Sequence, residues 1–194
     1  MFAPAPDELI LVRHAPSDAR GHVCGRLDVP ALVPDAAALA PLKTFLGGVG
    51  TRASSPALRC RQTVEAIWGA AETTSDDRLW EQSMGRHEGM PALDLPDLGP
   101  LSLADLARHR PPEGESFEDL CHRARPALEH WAERARRGGP VALVAHAGTA
   151  RAAIALTTGS PAAALAFEVA PLSLTRLRCH PGGLAVIATN WTPS

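Results

Sequence analysis

The 194-residue chain has no tyrosine, a single lysine (Lys43) and only 4% aromatic residues. Its 19 basic and 21 acidic side chains give a formal net charge of −2 without any polybasic run, which excludes a nucleic-acid surface held by charge. Long apolar runs are missing too. The longest uncharged stretches, such as Ala152 to Phe167, are Ala-rich, interrupted by Gly159 and Pro161, and shorter than the ~18 to 20 apolar residues of a membrane span. The opening MFAPAPDE lacks the basic and apolar regions of a secretory signal. Cys24, Cys60, Cys121 and Cys179 form no C-x-x-C pair, so a reduced, cytoplasmic protein is expected. At roughly 150 residues per domain, residues 1–194 make one domain, long enough to bury a core.

What is present is a strand and helix alternation. Glu8 to Val12 and Val141 to Ala145 are short, continuous apolar runs that read as buried strands, and each leads into a histidine. Asp35 to Leu46 reads as a helix stopped by Gly47 and Gly48. Pro56 to Ala71 reads as a helix capped by Ser54 and Ser55, and Ser116 to Arg137 as a long helix with Ser116 and Asp119 as a capping pair. A further helix is expected after Gly148, and a strand hairpin over Leu172 to Arg178 and Leu184 to Ala188. Between Leu79 and Gly114, eight Gly and Pro residues break any long element, leaving an irregular insertion with one short helix near Leu101 to Arg110. The fold class expected is α/β, a three-layer α/β/α arrangement with a mainly parallel central sheet and a small irregular, helical insertion.

In open α/β sheets, ligands bind beyond the carboxyl ends of the strands. Arg13-His14 and His146 occupy two such ends. Arg59 stands at the start of a helix, and Ala147-Gly148 opens another. Guanidinium forks, imidazoles and helix N-terminal amides together suit a phosphoryl dianion. No P-loop is present, since G-x-x-x-x-G-K-[ST] does not occur and Lys43 lies within a helix. With 18 of the 19 basic residues being arginine, no single arginine is informative without its neighbours. His22, His87, His109, His122, His130 and His180 share no ligand spacing, so neither a metal nor another cofactor is expected.

Five blocks occur in order: Leu11-Val12-Arg13-His14-Ala15; Ser54-Ser55-Pro56-Ala57-Leu58-Arg59-Cys60-Arg61-Gln62-Thr63; Leu79-Trp80-Glu81 with Gly85 and Glu88-Gly89; Gly114-Glu115-Ser116; and His146-Ala147-Gly148 with Arg151. In these the chain resembles the histidine phosphatase superfamily, phosphoglycerate mutase-like branch. The resemblance implies His14 as the nucleophile, Glu81 as the acid that protonates the leaving group, and Arg13, Arg59 and His146 around the phosphoryl oxygens, with Ala147 at the helix amide. It also implies that the insertion at about 79–114 lies over the active site. Arg151, Glu88, Glu115 and Ser116 are read as bracing residues. Ala15 and Ala147 replace the family's commoner glycines, and Cys24 stands where a hydroxyl is often offered. The first loop is short and its usual asparagine is missing, which favours a phosphatase over a mutase.

The run Arg13 to Ser17 with Gly21 to Pro30 is similar to α-ribazole phosphatases of cobalamin biosynthesis. The function expected is hydrolysis of a small-molecule phosphomonoester, such as α-ribazole 5′-phosphate, through a phosphohistidine. Mutase-type phosphoryl transfer and a non-catalytic phosphate-binding regulatory module are the alternatives, and a homodimer is an open arrangement.

Overall fold

A computed structural model describes residues 3–194. The elements run β1 (Glu8–Arg13), α1 (Ala36–Leu46), β2 (Thr51–Ser54), α2 (Leu58–Trp68), β3 (Thr74–Ser75), α3 (Leu103–Arg108), α4 (Phe117–Gly138), β4 (Val141–Ala145), α5 (Ala147–Thr158), α6 (Pro161–Ala164), β5 (Leu174–His180) and β6 (Gly183–Trp191). Single 3-10 turns at Asp77–Leu79, Gly85–His87 and Ala92–Asp94 complete them. Among the described residues no helix is long and apolar enough to cross a membrane.

The apolar run of β1 fails to alternate because the strand is covered on both faces. Leu9 and Leu11 join Leu143 and the α4 residues Leu128 and Trp131 in one core layer, whereas Ile10 and Val12 join Leu39 and Phe45 of α1 and Val64 of α2 in the other. These layers lie on opposite sides of one six-stranded sheet of order β3-β2-β4-β1-β5-β6. The pairings β3·β2, β2·β4 and β4·β1 are parallel, while β1·β5 and β5·β6 are antiparallel, so the sheet is mixed with a parallel majority.

Helix α4 has the full capping box, with the Ser116 hydroxyl accepting from the Asp119 amide and the Asp119 carboxylate accepting from the Ser116 amide. The start of α2 departs from expectation. It begins at Leu58 with Ala57, which has no polar side chain, as N-cap, while the Ser55 hydroxyl accepts from the Ala57 amide at 3.4 Å and meets His146 at 2.8 Å. Asp28, from the loop after β1, accepts from the Leu58 amide at 2.7 Å instead. Helix α5 begins at Ala147, before Gly148. Two strands went unread in the sequence. β2 has three polar residues in four, and β3 is two residues long.

The register positions the site. Arg13 pairs with Ala145 and Ser54 with Val144, so the chain leaves β1, β4 and β2 side by side at His14, His146 and Ser55. The ladder continues one step further, with the His14 amide donating to the Ala145 carbonyl at 2.9 Å and the Ser55 amide to the Val144 carbonyl at 3.0 Å.

Candidate active site

His14 and His146 meet edge to face with ring centroids 5.2 Å apart, and both are buried. Nδ1 of His14 lies 2.6 Å from the Ala15 carbonyl, which can only accept, so Nδ1 carries the proton and Nε2 keeps its lone pair. Nε2 in turn faces the Nε–H of Arg59 at 3.3 Å. Burial first, then the charges of Arg59 and Arg13, pull the His14 imidazole down to about 4, against the raising effect of the Ala15 carbonyl. It is therefore a neutral base at pH 7.

His146 has the opposite tautomer. An Arg59 N–H donates to its Nδ1 at 3.3 Å, so the proton resides on Nε2 and points to the Ser55 hydroxyl at 2.8 Å. Burial and the Arg59 charge hold this imidazole well below its ordinary value. The Trp80 ring lies parallel to it, within 8° and at 6.3 Å.

Arg59 is 1% exposed, and two of its three other N–H groups donate to the Leu27 carbonyl at 3.1 Å and the Gly25 carbonyl at 2.6 Å. One turn along α2, Thr63 accepts from the Ala15 amide and donates to the Arg59 carbonyl, tying the nucleophile's loop to the helix that carries the guanidinium. Arg13 donates through one terminal nitrogen to the Val169 carbonyl at 2.5 Å, and its Nε is buried with no partner. Desolvation lowers its pKa most, the Glu81 carboxylate raises it, and Arg151 and Arg59 lower it further. The guanidinium remains charged.

Glu81 comes to this cluster by way of the 3-10 turn at Asp77–Leu79. Its carboxylate accepts from the Gln82 amide at 3.0 Å and from the Gly148 amide at 3.2 Å, at the N-terminus of α5. Gly148 permits this approach, since a Cβ there would meet the Glu81 carboxylate and the Leu120 side chain. Ala147, the first residue of α5, contributes one of the helix amides that have no intrahelical acceptor.

The bracing residues fall into place around this cluster. Glu88 accepts from the amides of Gly25, Arg26, Leu27 and Met84, and fixes the loop that presents the Gly25 carbonyl to Arg59. Arg151 donates to the Phe167 carbonyl, and Ser116 is committed to its capping box. Arg123 of α4, unmarked in the sequence, donates to the carbonyls of Arg78, Trp80 and Glu81 and pairs with Glu115 at 2.8 Å. Arg26 joins the same carboxylate at 2.9 Å. Among the described residues no group of three or more His, Cys, Asp or Glu side chains is placed to hold a metal ion.

Residues 9–192 match the family model of the histidine phosphatase superfamily (branch 1), and the chain belongs to that family. Several solved phosphatases have the same fold. A mycobacterial glucosyl-3-phosphoglycerate phosphatase, solved with VO3, is 24% identical, with a TM-score of 0.78 over 95% of this chain and 99% of that one. A candidate alpha-ribazole-5′-P phosphatase from Escherichia coli K-12 is 20% identical, with a TM-score of 0.77 over 95% and 96%. A phosphoserine phosphatase from Entamoeba histolytica, solved with phosphoserine, is 18% identical, with a TM-score of 0.77 over 97% of each chain. At these identities the likeness concerns the fold. No curated relative matches the chain at the sequence level.

Proposed function

We propose that the protein is a phosphatase that hydrolyses a small-molecule phosphomonoester through a phosphohistidine at His14. The observation that carries this reading is the tautomer of His14. With Nδ1–H fixed on the Ala15 carbonyl, Nε2 keeps its lone pair and faces the Arg59 guanidinium, with the His146 ring beside it. Nε2 attacks phosphorus in line as the ester P–O bond breaks, and the departing oxygen takes the proton of Glu81, which enters the step as the carboxylic acid and leaves it as the carboxylate. Water then attacks the phosphohistidine, giving its proton to Glu81 and releasing phosphate and neutral His14.

Arg59, Arg13 and the α5 amide at Ala147 receive the equatorial oxygens. The buried Nε of Arg13 has no partner in the protein, and a phosphoryl oxygen would supply one. The phosphatase reading is preferred to mutase transfer because the loop after His14 is short. All four cysteines are free, in keeping with a reducing compartment such as the cytoplasm. The resemblance of Gly21 to Pro30 to α-ribazole phosphatases makes α-ribazole 5′-phosphate the first natural ester to try.

The test is a p-nitrophenyl phosphate assay at pH 5 to 7, with protein labelled from radioactive ester and quenched in alkaline detergent, then examined for a base-stable, acid-labile phosphoryl group. Wild type should turn over and label, and His14→Ala should do neither. Equal activity in both proteins would sink the phosphohistidine route.

A further inference from the structure

A cavity of about 580 Å³ lies against the 79–114 insertion. Three of its wall residues belong to segments that also build the phosphoryl pocket. Val23 precedes by two residues the Gly25 carbonyl that holds Arg59. Gln82 follows Glu81 and donates its amide to that carboxylate. Leu165 lies in the stretch leading to Val169, whose carbonyl holds Arg13. None of His14, Arg59, Glu81 or His146 lines the cavity; it adjoins the reacting centre through these segments, most directly where wall residue Gln82 donates to the Glu81 carboxylate.

Its wall has a definite chemistry. Met84, Leu95, Leu98, Leu106 and Phe117 dominate it, and three of these leucines are 39%, 44% and 42% exposed, a large apolar surface left open to solvent. His87 and His109, which the sequence left without a role, stand on the same wall. Its one arginine, Arg110, is an exposed side chain whose charge is offset by Asp119 at 2.7 Å. A second carboxylate or phosphate on the substrate would therefore lose water here against an already paired cation.

We propose that this cavity receives the leaving group, and that the preferred substrates are monoesters of bulky, uncharged, apolar alcohols, such as an aryl body or an alkyl body of about six carbons or more. The volume is in the ordinary range of small-molecule sites, roughly 300 to 1,000 Å³. This inference rests on the phosphatase reading, because it assigns the cavity to that reaction's leaving group.

The experiment uses n-alkyl phosphates from ethyl to octyl, whose leaving groups share one intrinsic reactivity, together with the matching non-hydrolysable n-alkyl phosphonates as ligands. Burial of each methylene should raise kcat/KM and phosphonate affinity by about two- to fourfold until the cavity is filled. In Leu106→Gln and Leu98→Gln the slope of both series should drop, while 3-phosphoglycerate should be a poor substrate for the wild type. A flat series, with ethyl phosphate still hydrolysed, overturns the apolar cavity and leaves the phosphatase intact. Graded phosphonate binding without turnover of any ester supports the cavity and overturns the phosphatase. Flat phosphonate binding overturns the cavity whatever the turnover.

Discussion

The Nε–H of Arg59 points at Nε2 of His14 across 3.3 Å, so a guanidinium covers the nitrogen assigned to attack. A proton on Nε2 would set two donors face to face, which adds to the burial that already keeps the ring neutral. The same guanidinium reaches the Gly25 and Leu27 carbonyls and His146, and a planar fork is needed to meet four partners at once.

Arg59→Lys should therefore fail as a conservative change. An ammonium reaches one or two of these partners, and kcat/KM should fall on the order of 10² to 10³. Steady-state kinetics with a melting curve on the same samples checks this, and activity within threefold of wild type would remove Arg59 from the reaction.

His14 also makes stability depend on pH. Its folded pKa of about 4 lies below the 6.5 of an unfolded chain. As pH falls below 6.5 the unfolded state takes up a proton that the folded state refuses, so stability declines toward pH 4 and this contribution levels off beneath it. Between pH 7.5 and 5 the share of His14 should be on the order of 2 kcal/mol. Urea unfolding at those two pH values should show a smaller difference for His14→Gln than for wild type. Identical differences would mean that His14 is not held neutral.

Arg123 acts through Glu81, since it holds the carbonyls of the segment that delivers that carboxylate. Glu81→Gln should slow alkyl phosphates far more than aryl phosphates, whose leaving groups need little protonation. Arg123→Ala should show the same bias, by about tenfold in the alkyl-to-aryl ratio, and the two changes together should be less than additive. A uniform loss across leaving groups would reduce Arg123 to a general brace.

Gly148→Ala should displace Glu81, because the new methyl meets both its carboxylate and Leu120. A loss of about 1 to 3 kcal/mol in stability is expected, with a further fall in kcat for alkyl esters. Gly50→Ala, which opens onto empty space, is the control. Wild-type melting and turnover in Gly148→Ala would show that the carboxylate can sit elsewhere.

How much of this could be read from the sequence follows the range of each interaction. β1 and β4 are continuous apolar runs because both faces are covered, and that pattern is visible in one dimension. β2 is not, because Thr51, Arg52 and Ser54 are polar and leave Ala53 as its one apolar residue. His14, Arg59, Glu81 and His146 stand in recognisable blocks. Thr63 was within reach, four residues past Arg59 on one helix face, but Asp28 and Arg123 act on backbone groups 30 or more positions away. Among 18 arginines nothing local distinguishes Arg123.

The hydrogen-bonded ladder from Leu9 and Val141 to Arg13 and Ala145 runs without a bulge into the bond between His14 and Ala145. The two imidazoles are thus spaced by the buried centre of the sheet. The leucines that line the neighbouring cavity are at the surface, where exchange costs within about half a kcal/mol. On the proposed reading, exchange at those leucines would change which ester is accepted while leaving untouched the strands that set the two histidines.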